Sequence, residues 1–230
     1  MKHQLDLPPD YEPRVYVVDD DEGVCTSIAD LISSMGFTAC TYTSAEEFLS
    51  GTDNRINGCV IADLRLMGSN AIEMLRKMKS EGYEIPLIIL SAFVDVTTTV
   101  SAMSEGALTV LEKPYAEQEL WDHVIAAILL NAEQRFARRW LLEYHSKESR
   151  LTEGESEVMR LLLKGLSNKS ISHQLDLSAR TVVMRRKAII NKLEVDNVID
   201  LAKLITKAQI IEQYLTTDNV VAEIKCQLQE

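Results

Sequence analysis

No stretch of this chain is apolar for long enough to cross a bilayer: the longest nearly apolar run, Val124 to Leu130, falls far short of the ~20 residues that a spanning helix needs. Residues 1–13 carry no apolar segment of the signal-peptide kind, so the expectation is a cytoplasmic protein without a membrane partner. Cysteine is scarce. The four present (Cys25, Cys40, Cys59, Cys226) show no Cys-x-x-Cys spacing of the zinc-site kind, and without a secretory context they argue for buried free thiols and against a disulfide framework. A glycine-rich phosphate loop is missing as well, which excludes a nucleotide held by a P-loop.

Positive charge is short overall, with a formal net charge of -11, yet it is distributed unevenly. Residues 14–122 carry 7 Lys and Arg against 18 Asp and Glu, whereas residues 151–207 carry 10 against 7. Phosphate neutralisation needs local positive charge only, so any nucleic-acid partner belongs to the second half. A length of 230 residues suits two modest domains.

The first half is organised around residues 59–66, CVIADLRL, an apolar run of strand length that ends on one carboxylate, Asp63. A continuous apolar run implies a strand buried on both faces of a parallel sheet, where functional groups gather at the carboxyl ends of strands. A polar leader with Pro8, Pro9 and Pro13 reads as a loose tail before a first strand, residues 14–18, that stops at Asp19, Asp20 and Asp21. Helical spacing then predicts helices over 22–35, 44–49, 71–79 and 96–105, alternating with strands over 38–42, 85–90 and 108–111. Five strands separated by helices describe a doubly wound α/β domain with a mostly parallel sheet.

Its carboxyl edge receives Asp19 and Asp20, Asp63, Ser91 and the pair Lys113-Pro114. Any one of these alone is ordinarily a solvated strand end; together they are chemically coherent. Carboxylates are hard oxygen ligands suited to Mg²⁺, an ammonium pairs with an anion and a hydroxyl donates to it, which points to phosphoryl chemistry on a side chain.

The strings VYVVDDDEGV and PLIILSAF, the strand ending at Asp63 and EGALTVLEKPY resemble the receiver domain of two-component response regulators over residues 14–130. The resemblance implies that Asp63 accepts a phosphoryl group from a sensor histidine kinase. It implies that Asp20, Asp63 and the backbone carbonyl of Arg65 bind Mg²⁺, with Asp19 acting through water. Lys113 is then the residue that holds a phosphoryl oxygen, next to a cis bond to Pro114, and Ser91 the hydroxyl that swings toward it. Three positions depart from the family pattern: Met67 and Ala71 stand where proline and glycine are usual, and Val110 replaces an aromatic residue.

From Tyr115 the pattern runs as one helix with no glycine or proline after Pro114 until Gly154, placing a helical linker over 131–150 with Arg135, Arg138 and Arg139 on its polar side. Ile128, Leu129, Ala132, Phe136 and Arg139 follow a loose coiled-coil spacing that is one route to a dimer. Beyond it, Thr152 and Glu155 have capping-box spacing, and helices over 167–175 and 179–193 are joined by a tight turn, the second helix basic. The run from Leu151 to Val195 is similar to the LuxR-type DNA-binding domain of the NarL/FixJ family, which implies an all-α four-helix helix-turn-helix domain over 151–208.

By that resemblance Val183, Met184 and Lys187 read bases, and Lys169, Arg180, Thr181 and Lys192 contact phosphates. Two apolar readers imply thymine methyl groups, hence an A·T-containing half-site with Lys187 on a guanine. The plainer reading packs Val183 and Met184 against a neighbouring helix. Arg185 stands where histidine is common and, with Arg186 and Lys187, adds charge. The extension 209–230, with Val220, Val221, Ile224 and Leu228 at helical spacing, is a dimer contact or a frayed tail.

The expected protein is a Mg²⁺-dependent, phosphorylation-controlled DNA-binding regulator, acting on a double-stranded promoter as a homodimer, and not an enzyme beyond removal of its own phosphoryl group. One rival is a regulator independent of phosphate, motivated by Met67, Ala71 and Val110. Another, a Mg²⁺-dependent phosphohydrolase with Asp63 as nucleophile, lacks a second acid to serve as general acid or base and leaves residues 151–207 without a role.

Overall fold

The computed structural model describes residues 7–216, and their contacts divide the chain between Arg135 and Phe136. The first unit opens with β1 (Arg14–Val18), α1 (Glu22–Ser34), β2 (Thr38–Tyr42), α2 (Ala45–Gly51) and β3 (Gly58–Asp63). A two-residue hairpin, β4 (Arg65–Leu66) and β5 (Ser69–Asn70), leads into α3 (Ala71–Ser80). Then come β6 (Leu87–Ser91), α4 (Val96–Ser104), β7 (Thr109–Glu112) and α5 (Glu117–Glu148), the last continuing past the division.

The main sheet is parallel in the order β2-β1-β3-β6-β7. Its central strands are apolar on both faces because both are covered. Val15, Val17, Cys59, Ile61, Ile88 and Leu90 pack toward a cluster shared with α1 and α5, and Val18, Val60, Ala62, Leu87 and Ile89 toward one shared with α2, α3 and α4. Each such aliphatic side chain taken fully from water contributes about 1.5–3 kcal/mol, which is why a two-sided strand tolerates no alternation. The fourth large strand starts at Leu87, two residues later than its apolar run suggests, since Pro86 has no N–H to give to a ladder.

After β2 the chain crosses back over β1 to lay down β3 on its other side. The order therefore reverses between β1 and β3, and the carboxyl ends of these two strands flank a crevice.

The leader is not loose over its described part. Tyr11 is buried, its hydroxyl donating to Oδ1 of Asn131 at 2.8 Å and lying 3.2 Å from the carbonyl of Ile128. Asn131, wholly buried on α5, also accepts from the amide of Gly58 at 3.0 Å and donates to the carbonyl of Glu84 at 2.9 Å. Arg135 donates to the carbonyl of Ile56 at 3.2 Å, so the polar side of the expected linker is partly a structural contact. The proposed coiled-coil seam does not survive either. Ile128 and Ala132 belong to the core of the first unit, while Leu129 and Phe136 are exposed.

The second unit contains α6 (Glu153–Leu163), α7 (Asn168–Gln174), α8 (Ala179–Lys192) and α9 (Val198–Thr216). Val158, Leu162, Ile171, Val182, Ile189 and Leu201 form its centre. The capping box is present, with Thr152 accepting from the amide of Glu155 and Glu155 accepting from the amide of Thr152. Asp176, at φ 51°, and the N-cap Ser178 make the turn between α7 and α8.

The fourth helix does not stop near Ala208 but runs to Thr216, so the first part of the expected extension is helix. Partners hold it: Glu212 lies 3.0 Å from Nε2 of His145, and the ammonium of Lys207 stands 4.4 Å above the ring of Trp140. The helical recurrence of Val220, Val221, Ile224 and Leu228 falls outside the described residues.

Candidate functional site

Asp63 is the last residue of β3 and Asp19 the first residue after β1, so the topological switch point sets the two carboxylates face to face. Lys113, just beyond β7, reaches both. Its Nζ lies 2.6 Å from Asp63 Oδ1 and 3.0 Å from Asp19 Oδ2. The second oxygens are held by the backbone: Asp19 Oδ1 accepts from the amide of Asp21 at 3.0 Å, and Asp63 Oδ2 from the amide of Arg65 at 2.7 Å.

Burial by itself would favour a neutral Lys113. Hydrogen bonds to Asp63 and Asp19, and their charges, outweigh it and hold the ammonium above the usual lysine pKa. Asp63 keeps 16% of its side-chain surface exposed against 5% for Asp19, so of the two acids it is the one open to a reactant. The bond between Lys113 and Pro114 is cis, in keeping with the resemblance.

The other expected members do not share these side-chain contacts. Asp20 is exposed, and among the described residues no group of three or more His, Cys, Asp or Glu side chains is assembled to hold a metal ion. Ser91 ends β6, its carbonyl accepting from the amide of Lys113 at 2.7 Å and its hydroxyl donating to the carbonyl of Phe93 at 2.6 Å. Met67 is 73% exposed, Ala71 begins α3 buried, and Val110 is half-buried. Asp21, the third acid after β1, is the N-cap of α1, accepting from the amides of Gly23 and Val24. An acid directly before a helical pattern is the signal that identifies it.

In the second unit α8 exposes Arg180, Val183, Met184 and Lys187, with Val183 at 52% and Met184 at 64%. These two apolar side chains therefore do not pack inward. Lys169 on α7 is exposed, and Thr181 in the first turn of α8 is half-buried, its Oγ1 2.8 Å from the hydroxyl of Ser178. Lys192 differs from the rest of the expected phosphate set: its ammonium lies 2.6 Å from Oε2 of Glu155. An exposed stripe of apolar and basic residues on the second helix of a helix-turn-helix has the chemistry to enter a DNA groove.

Comparison with known proteins agrees with both halves. Residues 15–125 match the family model of the response regulator receiver domain, and residues 149–205 that of bacterial regulatory proteins of the luxR family. The transcriptional regulatory protein FixJ of Bradyrhizobium diazoefficiens is 31% identical over 195 residues, 85% of this chain and 95% of that protein. The response regulator protein TodT of Pseudomonas putida is 30% identical over 190 residues, 83% of this chain and 84% of that protein. Among solved structures, the response regulator StyR is similar at a TM-score of 0.78 and 35% identity, covering 85% of this chain and 99% of that one.

Proposed function

This chain belongs to the response regulators that join a receiver domain to a luxR-family DNA-binding domain, and on that premise we propose that Asp63 is the residue through which phosphoryl transfer controls it. The observation that carries the reading is the shared lysine: Lys113 bridges Asp63 and Asp19 at the switch point of the sheet.

A carboxylate oxygen of Asp63 attacks the phosphorus of a phosphohistidine on a sensor kinase; the O–P bond forms as the N–P bond breaks, and the imidazole leaves. Lys113 changes partner, from carboxylates alone to an oxygen of the new phosphoryl group, and keeps the added negative charge paired. The Ser91 hydroxyl leaves the Phe93 carbonyl for the phosphoryl group, a local exchange of one hydrogen bond that biases the loop before α4. Asp19 and Asp63 turn hard carboxylate oxygens into one crevice, the donor chemistry that a divalent cation takes. Asp20, Asp63 and the carbonyl of Arg65 would hold Mg²⁺, with Asp19 through water, and the ion supplies charge neutralisation for the transfer.

The output is sequence-specific binding to double-stranded promoter DNA in the cytoplasm, as a homodimer after phosphorylation. Val183 and Met184 face thymine methyl groups, Lys187 a guanine, and Lys169, Arg180 and Thr181 the phosphates. Lys192, engaged by Glu155, is left out of the contacting set.

Intact mass and dimer fraction of the wild type and Asp63→Ala, with and without Mg²⁺ and acetyl phosphate, test the reading. A phosphoryl adduct and a rise in dimer confined to the wild type support it. No adduct, with equal DNA binding by both proteins, would favour a regulator that works without phosphate.

A further inference from the structure

The tripeptide Arg185-Arg186-Lys187 sits in the middle of α8, and the fold sends its three side chains to three places. Lys187 is exposed beside Val183 and Met184. Arg186 turns toward α7, its Nη1 3.4 Å from Asn168 Oδ1. Arg185 turns toward the first turn of α6, where its Nη1 donates to the carbonyl of Gly154 at 3.2 Å. Helical spacing accounts for the difference: Val182, Arg185, Ile189 and Lys192 recur every three or four residues, and Val182 and Ile189 are fully buried. Arg185 and Lys192 therefore flank the inward face.

Gly154 is the counterpart of Arg185. It has no positive φ, and an α-helix disfavours glycine relative to alanine, so backbone freedom gives no reason for it. Space does. A Cβ on residue 154 would lie 2.6 Å from Cζ and from Nη1 of Arg185, and 2.9 Å from Nη2. The guanidinium tip occupies that volume, so a side chain at residue 154 would move Arg185 off the Gly154 carbonyl. A cation at this end of α6 meets the positive pole of the helix dipole, and Glu153 and Glu155 in the same turn supply the opposing charge. Glu155 also holds Lys192, so the first turn of α6 fixes α8 at two points about two helical turns apart.

We infer that Gly154 and Arg185 form a complementary pair that sets how α8 presents Val183, Met184 and Lys187 to a DNA groove. Arg185 is thus a positioning residue for sequence reading and not a phosphate contact. The inference rests on the DNA-binding reading above. Base-edge contacts fail with small displacements, whereas sequence-independent binding depends on phosphate neutralisation and tolerates them.

The test uses the full chain as wild type, Gly154→Ala, Arg185→Lys, Arg185→Gln and the Gly154→Ala/Arg185→Gln double variant. The probes are a duplex that the wild type enriches from a random-sequence pool and a random duplex of equal length, titrated across a range of salt. Each single variant is expected to weaken the enriched duplex by about tenfold and the random duplex by less than about twofold. The slope of log K against log salt stays at the wild-type value, and the double variant is no weaker than Arg185→Gln. Arg185→Lys separates the two explanations, because it keeps the charge but lacks the guanidinium fork.

Three outcomes overturn the inference. In the first, Arg185→Gln weakens both duplexes alike and lowers the slope by about one, while Arg185→Lys and Gly154→Ala bind as the wild type does; Arg185 is then a phosphate contact. In the second, every variant loses affinity together with its helical circular dichroism, and the pair serves folding alone. In the third, the wild type enriches no sequence, and the DNA-binding reading falls first and takes the inference with it.

Discussion

Lys113 and Asp63 meet across the sheet, Nζ to Oδ1 at 2.6 Å, although the lysine follows β7, the aspartate ends β3 and a whole strand, β6, lies between them. Asp19 joins the same ammonium from β1. Three segments distant in sequence therefore converge on one charge, and removing that charge leaves two carboxylates confined together.

Lys113→Met is expected to cost about 2 kcal/mol of stability at neutral pH, in line with breaking a largely buried charged hydrogen-bond pair. In the wild type the folded pKa of Lys113 is raised, so its contribution is complete below the unfolded value of about 10.4 and is lost as pH rises through the folded value. Urea unfolding of both proteins from pH 7 to pH 11 checks this; a stability difference that does not narrow at the alkaline end would contradict it.

Glu155 carries the acid-side counterpart in the second unit. Burial alone would raise its pKa, but the hydrogen bonds from Lys192 and Thr152 prevail and hold it below the ordinary glutamate value. Its contribution is therefore present above an unfolded pKa of about 4.3 and lost as pH falls through the lower folded value. Glu155→Gln should flatten that acid limb in thermal melts of the second unit, and Thr152→Ala should cost about 1 kcal/mol through the lost cap.

Gly58→Ala is predicted to be the most damaging small change in the first unit. Residue 58 has φ 113°, and a Cβ there would lie 1.9 Å from the carbonyl oxygen of Arg14, a backbone atom that cannot step aside. A loss of about 3 kcal/mol or more is expected by denaturant unfolding.

Asn131→Ala should cost about 2–3 kcal/mol, since it removes at once an acceptor of the Tyr11 hydroxyl, the acceptor of the buried Gly58 amide and the donor to the Glu84 carbonyl. Tyr11→Phe removes only one of those partners and should cost about 1 kcal/mol. Equal losses for the two variants would show that Asn131 is not the hub.

For DNA, Lys187→Ala should relax sequence preference, whereas Lys169→Ala should weaken all duplexes alike and lower the salt slope by about 0.9. Competition between an enriched and a random duplex separates the two. A loss of preference in Lys169→Ala alone would reverse the assignment.

The strands and helices of the first unit were legible because their signals are local. Arg14–Val18 and Gly58–Asp63 have the apolar runs of two-sided strands, and the periods of α1, α3 and α8 are carried by neighbours three and four residues apart. Asp63, Ser91 and Lys113 could be placed at one edge because every parallel strand ends there. The packing of Tyr11 was not legible, since its partner lies 120 residues away. A lone Asn131 within an apolar helical stretch was the one visible trace of it. The end of α9 lies beyond what the sequence pattern marks because the helix is held by His145 and Trp140 on another helix, which no local pattern announces.

Sequence by itself thus determined the element types, the two-part organisation, the acids and the lysine of the sheet edge, and the basic second helix, because hydrophobic period and charge are properties of neighbours along the chain. Tertiary structure alone decided which groups pair. It put Lys113 between Asp19 and Asp63, turned Ser91 onto Phe93, gave Lys192 to Glu155 and seated Arg185 in the space left by Gly154. A buried charge or donor takes whichever partner the packing of distant segments brings within about 3 Å, and that choice is not written at any one position of the chain.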